Sequence, residues 1–250
     1  MSQAVLLNNV DHHDLRVIVA RGARYGDDEM LAPTFFGEFR ALQAHYPIVF
    51  QQTADGGFRS LALLGLRPRE NLFLQDDALE RDALAGAGER WDAHYLPMAI
   101  ERLPFLIGIA EDEPMLHIDL AHPRVVRGEG RGGEPLFLEH GGSSEFLQRA
   151  ASLLRALHDG LREEAGFIAA LRRLHLLEPF ALDIRLDQHT QHRLSGFHTI
   201  DERALRALGA ADLHALAQAG YLEAIYMALA SQSRLRDLIE RLSRRHAAGR

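Results

Sequence analysis

The chain has no cysteine and no lysine. Without cysteine there is no disulfide, no thiolate nucleophile, no iron–sulfur ligation and no cysteine zinc site. Without lysine there is no Schiff-base amine, no Walker lysine and no lysine general base. All 28 basic residues are therefore arginine, set against 35 acids for a formal charge of −7. The two signs are interspersed, so no basic stripe exists to neutralise a phosphate backbone, and no nucleic-acid partner is expected. Long apolar runs are also missing: no window approaches the roughly 20 residues of a spanning helix, so no transmembrane segment is expected. The first residues carry no basic, signal-like region, and the expected location is cytoplasmic.

An apolar fraction of 47% over 250 residues suffices for a packed core. The stretch 179–208 organises the reading. Leu182, Ile184 and Leu186 lie two apart, as do Leu194, Gly196, His198 and Ile200, so two alternating segments flank a polar tip as a β-hairpin. Thr199 with Glu202 three residues on is a capping-box pattern that predicts a helix start. A second hairpin is predicted from 48–52 and 58–64 around an Asp-Gly turn.

Elsewhere, 15–20, 105–110 and 115–120 read as strands, the last two joined by acidic residues. A short helix near 34–42 precedes Tyr46-Pro47. Trp91, Tyr95, Met98 and Arg102 lie at helical spacing, interrupted by Pro97. Ser143 predicts a helix start and Gly160 its end, with a second helix following; a further helical series from 213 to 242 is broken at Gly220. The expected fold class is α+β: one domain over 1–250, with a largely antiparallel β-rich lobe over about 1–130 and a mainly helical lobe over about 131–250 that contains a β-hairpin.

Several segments together resemble the bacterial SapC family. They are His-Tyr-Pro-Ile-Val-Phe at 45–50, Asn-Leu-Phe at 71–73, Trp-Asp-Ala-His-Tyr-Leu-Pro at 91–97, Leu-Pro-Phe at 103–105, Glu-Pro-Leu-Phe at 134–137, and Leu-Ser-Gly-Phe-His-Thr-Ile-Asp-Glu-Arg-Ala-Leu at 194–205. Glu101-Arg102 departs from a doubly basic pair expected of the family at that place. The resemblance implies association with surface-layer export, outer-membrane uptake receptors and oxidative tailoring enzymes. It supplies no catalytic residue.

Candidate chemistry is sparse. His117-Ile118-Asp119 places an imidazole and a carboxylate on one strand face, and a later histidine such as His198 would complete a two-histidine, one-carboxylate iron(II) site using 2-oxoglutarate. Its bland counterpart is a strand edge in water, since a chain with 14 histidines yields His-x-Asp easily. Asp11-His12-His13-Asp14 reads as a solvated segment. The Gly-rich run 128–133 lacks the following helix a dinucleotide fingerprint needs. Acidic pairs, Glu163-Glu164 among them, read as solvated. Tyr46, Trp91, Tyr95 and Arg102 are candidates for a ligand or partner surface, with core packing as the competing reading; Arg102, Arg124 and Arg127 could clasp an anion beside them. The leading expectation is a non-catalytic SapC-like accessory protein without cofactor, binding a protein or peptide partner of an envelope or uptake system. The alternative is an iron(II)- and 2-oxoglutarate-dependent hydroxylase using His117, Asp119 and His198.

Overall fold

The computed structural model describes residues 3–76, 89–110, 113–128, 132–187 and 190–248. In chain order the strands are β1 (Ala4–Leu6), β2 (Leu15–Val17), β3 (Leu31–Thr34), β4 (Ile48–Gln52), β5 (Phe58–Leu63), β6 (Leu74–Asp76), β7 (Glu89–Trp91), β8 (Phe105–Ala110), β9 (Glu113–Asp119), β10 (Val125–Arg127), β11 (Glu134–Pro135), β12 (Leu177–Arg185) and β13 (Gln191–Ile200). The α-helices are α1 (Phe39–Leu42), α2 (Met98–Glu101), α3 (Glu145–Arg173), α4 (Glu202–Arg206), α5 (Ala210–Gln218), α6 (Tyr221–Ser231) and α7 (Arg234–Ala248). All strand pairings among the described residues are antiparallel and the C-terminal part is mostly helical, so the protein is α+β. No helix among the described residues is long and apolar enough to cross a membrane.

The chain divides into two compact units. The first comprises Met1–Asp28, Leu74–Asp92 and Met98–Asp159; the second comprises Glu29–Phe73, Ala93–Pro97 and Gly160–Arg250. In the first unit, sheets β1-β9-β8 and β10-β2-β11 enclose a core of Leu15, Val17, Phe105, Ile118, Leu136, Leu147 and Leu154. Leu15 and Val17 alternate inward from the middle strand of their sheet, as period-two patterning requires.

The second unit is built on the sheet β12-β13-β4-β5-β3. The hairpins predicted over 179–200 and 48–64 are two of its adjacent pairs. Phe39, Phe50 and Phe167 form its aromatic centre, with ring centroids 5.9–6.4 Å apart. Aromatic rings at such distances and inclined planes combine large apolar burial with favourable edge-to-face contact.

Four local expectations are corrected. Gly160 does not end a helix; α3 continues through it for 29 residues, and Ser144 rather than Ser143 caps its start by accepting from the Leu147 N–H at 3.1 Å. The cap of α4 is Asp201, whose carboxylate accepts from the Arg203 and Ala204 N–H groups at 2.8 and 2.9 Å, while Thr199 belongs to β13. The buried residues of β13 are Leu194, Phe197 and Ile200; a register shift opposite Phe180 and Leu182 inserts an extra residue beside Gly196, which has φ of 86°, between the first two. This bulge puts Phe197 where strict alternation placed Gly196. The helix expected around Trp91–Arg102 is reduced to α2, with Trp91 in β7. The glycine-rich run 128–133 and the acidic link 111–112 lie partly or wholly outside the described residues.

Candidate binding cleft

In the first unit, a cleft of about 930 Å3 opens between the end of β2, the start of β8 and the first turns of α3. That volume lies within the range of small-molecule sites, roughly 300–1,000 Å3. Its apolar surface comes from Val17, Val19, Phe105, Phe146 and Leu153. Val19 is half exposed, unlike its inward-facing neighbour Val17. Its polar surface comes from Arg21, Arg124 and Arg149 together with Glu101, Glu134 and Glu145.

Arg124 is the largest fully buried side chain among the described residues. Its Nη1 donates to the carbonyl of Ile18 at 2.9 Å and to that of Ala20, and its Nη2 donates to Asp27 Oδ2. The guanidinium also stands over the Tyr25 ring, 5.1 Å from the centroid. Arg suits this place because a planar fork can serve several acceptors and an aromatic face at once. Asp27, equally buried, accepts from the Gly22 N–H at 2.9 Å and faces Arg21 Nη1 at 3.7 Å. One carboxylate therefore serves two guanidinium groups. Burial first, and then the charge of Arg124, push the pKa of Arg21 down, against the pull of Asp27 and Glu101. Among the described residues Arg21 Nη1 and Arg124 Nε have no hydrogen-bond acceptor. Buried donors of this kind are uncommon.

The residues singled out in the sequence lie apart from this cleft. His117, on β9, covers Gly108 of β8: a Cβ there would lie 2.2 Å from the imidazole. Asp119 closes the following turn, accepting from the Gln3 and Ala121 N–H groups at 2.7 and 3.0 Å. His198 lies in the second unit, edge-on to Phe58 at 4.8 Å. Among the described residues no group of three or more histidines and carboxylates could hold a metal ion, so nothing supports the hydroxylase reading. Tyr46 has no exposed surface and donates its hydroxyl to the Tyr95 carbonyl, which makes it a core residue; Tyr95 in turn donates to Glu38 at 2.9 Å. Trp91 and Arg102 belong to the first unit, where Arg102 Nη1 donates to the Phe105 carbonyl at 2.8 Å and burial lowers its pKa. Arg127 pairs with Asp14 at the surface. Of the three arginines considered for anion contact, only Arg124 lines the cleft.

A mixed α+β architecture with an arginine-lined cleft characterises the described residues. The family model described as SapC matches residues 7–238, and the chain belongs to that family. No curated protein and no solved structure matches it.

Proposed function

We propose that this SapC-family chain is a non-catalytic accessory protein of bacterial envelope or nutrient-uptake processes, and that it takes a peptide segment of a partner protein in the cleft of its first unit. The observation that carries the reading is a pair of arginine nitrogens without a hydrogen-bond acceptor, Arg124 Nε and Arg21 Nη1, the latter held only at ion-pair distance from Asp27, in the wall of a cleft with an apolar surface. A peptide offers both halves of the complement. Its carbonyl or carboxylate oxygens accept from guanidinium groups, and its N–H groups donate to Glu101, Glu134 or Glu145. Its apolar side chains cover Val19, Phe146 and Leu153.

Selection of a random peptide library on the purified protein tests this. Enriched peptides are expected to compete with one another for one site and to lose at least tenfold in affinity on Val19→Asp, a change at an already exposed position. Peptides that bind Val19→Asp and Arg21→Met as tightly as wild type would place recognition elsewhere, and absence of enrichment would remove the proposal.

A further inference from the structure

The second unit holds a separate cleft of about 640 Å3, bounded by Pro33, Phe58, Leu161 and Ile168 with Thr34 and Ser60 at its polar side. Glu164 lies in its wall, on the face of α3 one turn beyond the half-exposed Leu161. Paired acidic residues on a helix usually face water; here Glu163 does, while Glu164, well inside α3, is only 6% exposed, which corrects the expectation of a solvated pair. Its Oε1 accepts from the Ser60 hydroxyl and its Oε2 from the Phe36 N–H at 2.8 Å. Both donors are neutral. No basic side chain among the described residues pairs with this carboxylate, although a buried carboxylate is ordinarily balanced by a cation.

We propose that this cleft binds a primary ammonium group carried on a short apolar chain, with Glu164 as its counter-ion. The geometry fits in three respects. Two hydrogen bonds leave the carboxylate with acceptor capacity for an ammonium N–H. The hydroxyls of Ser60 and Thr34, register partners on β5 and β3, stand beside it as further acceptors. Phe58, Leu161 and Ile168 provide surface for the methylene chain.

The surrounding charges are accounted for. Arg59 is turned to Gln51 Oε1 (Nε at 3.1 Å), Arg172 acts electrostatically on Asp55, Glu38 is tied to the Thr34 hydroxyl at 2.6 Å, and His198 stands against Phe58. Burial raises the Glu164 pKa to about 7 against the two hydrogen bonds, so a bound cation would draw it back into the ionised form.

The same ammonium chemistry belongs to a free alkylamine and to a lysine side chain. Titration with n-hexylamine and with N-acetyl-lysinamide separates these sources, and n-hexanol controls for apolar adsorption. The expected result is saturable binding of one or both amines, falling roughly tenfold per pH unit as pH drops below about 7. Glu164→Gln, whose one amide oxygen still accepts from the Phe36 N–H while its NH2 donates to the Ser60 hydroxyl, is expected to abolish both the binding and its pH slope; His198→Gln is expected to retain them. Stronger binding of hexylamine assigns a free amine, and stronger binding of the blocked lysine assigns a protein side chain. Equal binding by hexanol, undiminished binding by Glu164→Gln, or no saturable binding up to millimolar concentration would each overturn the proposal. None of these outcomes depends on the peptide cleft of the first unit.

Discussion

Gly160 leaves room for the ring of Phe35: a Cβ on the glycine would lie 2.3 Å from Phe35 Cε2. Helix propensity alone favours Gly160→Ala by about 1 kcal/mol. Overpacking of about 1–3 kcal/mol is expected to outweigh it. Denaturant melts should show a lower midpoint for Gly160→Ala, with much of the loss recovered in Gly160→Ala combined with Phe35→Ala relative to Phe35→Ala alone. An unchanged midpoint in the single variant would mean the ring moves freely.

The raised pKa of Glu164 makes stability depend on pH with a definite sign. The ordinary value is 4.5 and the folded value about 7, so between these limits the folded protein holds the proton more tightly than the unfolded chain. This contribution is fully present below about pH 4.5 and is lost as pH rises through about 7. At about 1.36 kcal/mol per pH unit, the loss is about 3 kcal/mol. Glu164→Gln should remove this part of the slope, so its stability relative to wild type should improve from pH 5 to pH 8. Parallel stability profiles would contradict the assignment.

Asp27 is the shared counter-charge of Arg124 and Arg21, and removing it leaves two buried guanidinium groups facing each other. Asp27→Asn is expected to destabilise by about 3–5 kcal/mol, measured by equilibrium unfolding. The exposed pair Arg149–Glu145, 3.9 Å apart, provides the contrast: Arg149→Ala should change stability by no more than about 0.5 kcal/mol.

The helix start at Asp201 separates two assignments that differ by two residues. Asp201→Ala removes the acceptor of two N–H groups and is expected to cost about 1 kcal/mol. Thr199→Ala, within β13, should leave α4 capped. Comparison of the two unfolding midpoints checks this, and a larger loss for Thr199→Ala would restore the threonine as cap.

Much of the fold was legible because period-two alternation and turn residues are local signals. The hairpin β12-β13, the pair β4-β5 and the helix break at Gly220 all follow from them. What escaped depends on contacts distant in sequence. Gly160 resembles a helix stop until the ring of Phe35 is seen against it, and Gly196 conceals a bulge that changes which side chains of β13 face inward. The site was less legible still. Arg124 and Asp27 are 97 residues apart, and only the absence of lysine hinted that a buried cation would have to be arginine. Glu164 looks like half of a solvated acidic pair, since its burial is set by Ser60 and Phe36, each more than 100 residues away.

The most direct test of the peptide-binding account is calorimetric titration of one library-selected peptide into wild type and into Arg21→Met. The substitution preserves much of the apolar stem while removing the donor that lacks an acceptor, and it leaves Asp27 paired with Arg124. The account predicts a single-site isotherm for wild type and at least tenfold weaker affinity for folded Arg21→Met. Equal affinities for the two proteins would contradict it.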